Sequence, residues 1–281
     1  MSQALGLLIP STTEIASGLL VIAALSLVAV KVRALDIQGA VAGFLIGIVT
    51  LLAGGLGWVA IIIAFVLISS ALTRYRYEYK QKLGSAQEKG GRRSWQNVLA
   101  NGLVGVVAAI FELATHQEIY AVAFLGCIAA AMSDTIATEI GLLSGSKPRL
   151  ILDPGKTVAP GTSGGVSGMG EMAGLVSAIG LGSLGVALKV VSGTSLETAY
   201  ALIAVISAAF LAMNFDSLLG ATVQGKNKCK ICGADTENLY HHGEPTVSEK
   251  GIRFLDNNAV NLIATVAAAL ISVALYLVFI S

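Results

Sequence analysis

The chain is short of charge. Only 12% of its 281 residues are Asp, Glu, Lys or Arg, about half the share in a soluble domain. Together with long apolar runs, that shortage argues against a soluble globular protein. Cysteine is scarce as well, at three residues. No cleavable-looking segment precedes the first apolar run, so a secreted disulfide scaffold is not expected. No convincing internal repeat is present, and none of the three histidines, His116, His241 and His242, falls inside an apolar run. What is abundant is hydrophobic surface, 55% of residues with a mean hydropathy of +0.78, and glycine, 32 residues. Glycine at that level in a membrane chain points to close helix packing or to irregular backbone at a site.

A membrane span needs about 20 apolar residues. Eight candidates follow: Ile15–Val30, Ile37–Ala53, Leu56–Leu72, Val98–Ala114, Tyr120–Leu142, Gly168–Leu188, Ala199–Thr222 and Ala259–Ile280. The expected fold is therefore all-α, a polytopic membrane helix bundle forming a single integral membrane domain over residues 1–281. With eight spans, 17 of the 18 basic residues fall on one side and only Lys189 on the other. Positive charge marks the cytoplasmic side. Both termini are thus expected outside, with cytoplasmic loops at about 73–97, 143–167 and 223–258.

Chemistry gathers at the cytoplasmic ends of the spans. Ser133-Asp134-Thr135-Ile136-Ala137-Thr138-Glu139 closes the fifth span, and ionisable residues at membrane depth are costly and usually functional. At about 1.5 Å per residue, Asp134 is expected roughly 7 Å inside the boundary; a buried acid paired with an arginine is the plainer alternative. Asp216 stands in Asn214-Phe215-Asp216-Ser217 near the end of the seventh span, and Asp256 opens the eighth. Asp256 reads equally well as a helix cap. Carboxylates with Asn carbonyls are hard oxygen ligands suited to Mg²⁺ shared with phosphates, which makes Asp134, Glu139, Asp216 and Asp256 the candidate metal set.

Between spans five and six runs a loop with Lys156-Thr157 and then Gly161-Thr162-Ser163-Gly164-Gly165. Glycine amides, hydroxyls, a lysine and a following helix N-terminus are what a polyphosphate requires. The loop is not a Walker A motif, because the glycine five positions before Gly155 is missing; a glycine packing face is the competing reading. Arg92 and Arg93 are candidate phosphate ligands, or a basic loop beside anionic lipid. Asn97 and Asn101 lie one helical turn apart and form a polar stripe. Cys229 and Cys232 with His241 and His242 have the donors for a structural Zn²⁺ clip, with a Cys-to-His gap shorter than a usual finger. Glu112, near the outer end of its span, has no role in this scheme.

The stretches Gly91-Arg92-Arg93-Ser94-Trp95-Gln96-Asn97-Val98, Ser133 to Gly141, Gly161 to Ser167, Asp216-Ser217-Leu218-Leu219-Gly220-Ala221 and Leu255 to Asn261 resemble a membrane family. It includes human transmembrane protein nineteen and the plant and cyanobacterial phytyl-phosphate kinases. A looser similarity reaches dolichol and phytol kinases and CDP-diacylglycerol synthases, through Asp134, Gly141, Lys156-Thr157 and Gly161. Here Gly155 replaces the first Lys of that pattern, Ala159-Pro160 breaks its spacing, and the cytidylyltransferase Pro-Gly-His is absent.

The resemblance implies a Mg²⁺-dependent kinase that uses CTP or another nucleoside triphosphate to convert a membrane isoprenyl monophosphate to its diphosphate. Asp134, Lys156 and Asp216 are the expected catalytic residues. A monophosphate acceptor needs little general-base help, in keeping with the lack of in-span histidine. The expected partners are the bilayer, the lipid phosphate and the nucleotide, with no nucleic acid. Two other readings use the same residues: a CDP-lipid synthase-like nucleotidyltransferase, and an ion-coupled transporter with Gly-broken helices.

Overall fold

A computed structural model describes residues 11–281 apart from 84, 87, 192, 232, 234, 237–239 and 242. Seven helices are long and apolar enough to cross a membrane: α1 (Thr12–Lys31), α2 (Ile37–Arg74), α5 (Trp95–Thr115), α6 (Glu118–Leu143), α7 (Gly168–Ala187), α8 (Ser195–Thr222) and α9 (Asn257–Ile280). Two short helices, α3 (Tyr77–Lys82) and α4 (Glu88–Gly91), lie in the connection between α2 and α5. Starts are set by local chemistry. Ser11, Asp36, Ser94, Ser167, Thr194 and Asp256 each accept a hydrogen bond from an amide of the first turn, caps each worth about 1 kcal/mol.

Eight spans were expected and seven helices are found, because α2 joins two of the expected spans across Gly55. That residue adopts φ 66° and ψ −161°, a conformation essentially reserved for glycine. The two halves of α2 double back on each other. Its first residues lie beside Arg93, since Asp36 N donates to Arg93 O at 3.1 Å. Its last turn lies beside the same segment, where a side chain on Gly91 would meet Thr73 at 3.3 Å. A straight helix of 38 residues would hold those ends about 57 Å apart. Leu51 and Val59, four residues either side of Gly55, share one apolar cluster with Ile22 of α1. The chain thus makes eight passages, with the turn at Gly55 at the end opposite Arg93.

Helix α6 is the central post. It is buried without a break from Ala121 to Ser133, and it carries Ala121, Ala123, Gly126, Ala129, Ala130 and Ala131. Small residues let neighbouring backbones approach closely where lipid supplies no hydrophobic drive. At Gly126 a Cβ would lie within 2.4 Å of Ser272 Oγ on α9, and that hydroxyl donates to Val122 O at 3.3 Å. Trp58 stacks on Phe124 with ring centroids 4.3 Å apart, fixing the second half of α2 to α6. At the end away from Arg93, Glu118 accepts from Gly193 N at 2.8 Å and from Tyr276 Oη at 3.0 Å.

The connections at the basic end are ordered by small antiparallel sheets. One is β2 (Asp153–Thr157), β1 (Arg149–Leu150) and β3 (Gly165–Val166), in that order. The α8–α9 connection contains β4 (Lys226–Lys228), β5 (Asp235–Thr236), β6 (Tyr240–His241), β7 (Glu244–Pro245) and β8 (Val247–Lys250), with β4 between β5 and β8.

Candidate functional site

Four helices converge on one polar void. Asp134 of α6, Asp216 of α8, Asn101 of α5 and Asn261 with Thr265 of α9 line it, and Ala130, Ala131, Ala212, Met213 and Ala264 complete its wall. Asn261 and Thr265 reach it together because they are one turn apart on α9. Its volume of about 10 Å³ is the room one water or a small cation needs. Counted along the helices at about 1.5 Å per residue, the polar lining residues lie roughly 6–14 Å from the basic ends. Asp134 stands nine residues before the end of α6 at Leu143.

The amides here are oriented by their neighbours. With its nitrogen turned toward α8, Asn261 donates to Asp216 Oδ2 at 3.0 Å and to Asn257 O at 3.2 Å, the orientation the hydrogen-bond network selects. Asn101 Nδ2 donates to Asn97 O at 2.8 Å, which leaves its carbonyl oxygen as an acceptor. Asn97 Oδ1 is buried and, among the described residues, has no partner.

Above the void the charges alternate. Arg93 lies under the fields of Glu139 and Asp134, and burial is the larger influence on it, lowering its guanidinium to about 10. It therefore keeps its proton at neutral pH. Its Cζ stands 5.3 Å over the Phe65 ring, a favourable seat for a guanidinium. Glu139 is bound by Lys80 at 2.5 Å, both side chains being almost wholly buried, at 3% and 1% exposure. Lys80 also donates to Leu72 O at 2.6 Å and Thr73 O at 3.2 Å. All three ammonium donors are engaged, which is what such burial requires.

The glycine loop bridges the helices that carry the two acids. A side chain at Gly141 of α6 would meet Ser167 Oγ at 3.1 Å, and one at Gly164 would strike Ala221 of α8 at 2.4 Å. Gly161 and Gly164 both have φ of 80°. Ser85 Oγ ties the loop to the α2–α5 connection by donating to Pro160 O at 2.8 Å. Lys226 Nζ reaches Ser163 O at 3.4 Å. Two of the loop amides are spent internally, Thr162 N on Ala159 O and Gly165 N on Thr162 O. Packing thus accounts for much of the glycine content.

Of the four acids expected to hold metal, Asp134 and Asp216 share the void. Glu139 is neutralised by Lys80 instead of standing free for a cation. Asp256 is an exposed cap whose Oδ1 accepts from Ala259 N at 2.9 Å. Among the described residues no three carboxylate, imidazole or thiolate groups come together as a metal cage. Lys156 and Thr157 lie on the fully exposed strand β2, and Arg92 is exposed. Of the suggested zinc ligands, Cys229 is buried and its Sγ accepts from Ile231 N at 3.4 Å. Cys232, His242 and the side chain of His241 lie outside the described residues.

Two features escaped the sequence reading. Nothing in Tyr77-Glu78-Tyr79-Lys80-Gln81-Lys82 marks Lys80 as the buried lysine. Its inward aim comes from Arg76, which turns the chain with φ 53° before α3. Glu171, in the first turn of α7, accepts from Asn214 Nδ2 at 3.0 Å, next to Asp216 in sequence. An acid three residues into a glycine-led helix was a signal for it.

The comparisons with known proteins agree with this architecture. The chain is 32% identical over 255 residues to Protein PGR of Arabidopsis thaliana, covering 83% of this chain and 86% of the relative. It is 31% identical over 264 residues to an uncharacterised membrane protein of Methanocaldococcus jannaschii, covering 92% of each. It is 29% identical over 213 residues to Protein VTE6, chloroplastic, of Arabidopsis thaliana, covering 74% of this chain and 62% of that one. No solved structure matches it significantly. A family model covers residues 20–269, eight passages from the middle of α1 into α9, and the chain belongs to the integral membrane protein DUF92 family.

Proposed function

We propose that this protein is a membrane-embedded kinase that transfers the terminal phosphoryl group of a nucleoside triphosphate, CTP or ATP, to an isoprenyl monophosphate. The observation that carries the reading is the meeting of Asp134 and Asp216, from helices far apart in sequence, in one void with Asn101. Two carboxylates and an amide carbonyl are a hard, incomplete donor set. That suits Mg²⁺, which binds through one or two carboxylates and leaves its other positions to phosphates and water. Bound there, Mg²⁺ would neutralise charge on the transferring group.

The remaining roles fall to the chain itself. Arg93 holds its charge at neutral pH, beside the acids, and takes the acceptor phosphate. Lys80 holds Glu139, and among the described residues Arg93 has no tight carboxylate partner. Lys156 and Thr157, on the exposed hairpin beside the glycine loop, meet the nucleotide from the aqueous side. The basic end faces the cytoplasm, since positive charge is retained there, and both termini then lie outside. The void is too small for a phosphate, so transfer takes place at its mouth. The similarity of the motifs at Arg92-Arg93, Asp134 and Gly161–Ser167 to phytyl-phosphate kinases supports the substrate class.

Purified protein with Mg²⁺, labelled nucleotide and geranylgeranyl monophosphate tests the reading. The expected product is the diphosphate, lost on chelation. A cytidine-linked lipid would make the protein a nucleotidyltransferase, and solute uptake driven by an ion gradient without nucleotide turnover would make it a transporter.

A further inference from the structure

Apart from the polar void, a furrow of about 530 Å³ runs between the first half of α2 and the first half of α5. Its walls run from Ile37 to Val49 on one helix and from Trp95 to Val106 on the other, and they are almost entirely apolar. Ile46 forms part of the floor, wedged against Gly102, where a Cβ would meet it at 2.8 Å. Each wall is 12 or 13 residues long, so the furrow extends about 17 Å along the helices. That is close to one leaflet, half of a hydrocarbon core about 30 Å thick.

One end of this furrow is basic. Arg93 pairs with Leu35 in a parallel bridge, just above Ile37. Trp95, the uppermost wall residue of α5, follows Arg92-Arg93-Ser94 directly. Lys31 and Arg33, both exposed, precede the other wall. Asp36, which stands here, caps α2 by accepting from Gly39 N at 2.8 Å. An apolar channel one leaflet long with a cationic mouth complements a single-chain lipid that ends in phosphate.

We infer that the furrow between α2 and α5 seats the hydrocarbon chain of the phosphorylated lipid, with its phosphate at Arg92 and Arg93. This rests on the proposed acceptor class and adds where its chain lies. The furrow supplies little hydrophobic attraction, because the bilayer outside is as apolar as its walls. Affinity comes from the arginines. The furrow holds the chain in line, so that the phosphate arrives beside Arg93, whose charge faces Asp134.

The test uses geranylgeranyl monophosphate with a diazirine at the far end of its chain, applied to the full-length protein in phosphatidylcholine nanodiscs without nucleotide. Label is expected on peptides covering 37–49 and 95–106, displaced by unlabelled geranylgeranyl monophosphate and not by equal phosphatidylglycerol. Val41→Trp and Leu103→Trp add bulk from the exposed rim and should each reduce the label several-fold without moving Tm. Label spread evenly over the lipid-facing helices would overturn the inference. So would equal displacement by phosphatidylglycerol, or full label in both folded Trp variants. Label confined to the furrow in a protein that transfers no phosphoryl group would uphold the seat and sink only the kinase reading.

Discussion

Lys80 and Glu139, 59 residues apart, form a buried ion pair that ties the α2–α5 connection to the end of the central helix. Removing one partner leaves an uncompensated buried charge. Lys80→Met or Glu139→Gln alone should cost about 3–5 kcal/mol, read as a fall in Tm in detergent. The double variant should recover part of that loss. A single variant with unchanged Tm would show that the pair contributes nothing.

Asp134→Asn and Asp216→Asn keep size and hydrogen bonding but remove charge. Each should lower turnover by about a hundredfold or more and raise the Mg²⁺ concentration needed for half-maximal rate. Asp256→Asn keeps the cap and lies off the void, so it should change neither. Phosphoryl-transfer assays across a Mg²⁺ titration decide between two working acids and four.

Arg93 should set acceptor affinity. Losing a charged hydrogen bond of about 1.5–3 kcal/mol means Arg93→Gln raises the KM for prenyl phosphate about tenfold or more. Because burial lowers Arg93 to about 10, wild-type KM should begin to rise as pH approaches 10. Folding responds with the opposite sign. Above pH 10 the folded chain has shed this proton while the unfolded one still retains it, so this group's contribution to stability rises with pH there. A KM flat to pH 10.5 would remove Arg93 from the acceptor site.

Gly55 has φ 66° and ψ −161°. Gly55→Ala should cost about 1–3 kcal/mol from backbone strain alone, visible as lower Tm and lower monodisperse yield. Gly90 also has positive φ, but a Cβ there meets nothing within 4 Å, so Gly90→Ala should be the milder change.

Single cysteines at Lys82 and Glu249 should react with impermeant reagents from the cytoplasmic side, and one at Lys189 from the other. Reaction of Lys82 or Glu249 from outside would invert the orientation and move the site with it.

The periodic part of the chain was readable. Helix bounds fall within four residues of the expected spans because hydropathy and a Ser, Thr or Asp cap fix them locally. The convergence of Asp134 and Asp216 was legible from membrane depth, since both lie near basic ends of spans running in the same direction. Which face each acid takes was not, and that is what separates Asp216 at the void from Asp256 at a cap. Lys80 was illegible because its burial depends on a left-handed turn at Arg76 and on Glu139, neither encoded near it. The glycine loop was half legible. Gly164 is required by contact with Ala221, a long-range neighbour that no spacing rule supplies.

The reversal at Gly55 has a practical consequence. From Leu51 to Trp58 the chain reads Leu-Leu-Ala-Gly-Gly-Leu-Gly-Trp, with no charge and no lysine or arginine for a protease or amine reagent. Gly55 is buried, and Gly57 packs toward Leu188 O at the far end of α7. A mapping experiment that counts cleavable outward loops would miss this bend and score α2 as one crossing. The segments before and after the bend would then be assigned to the wrong compartments relative to each other. Reporters fused before Ile37 and after Arg74 must agree with each other.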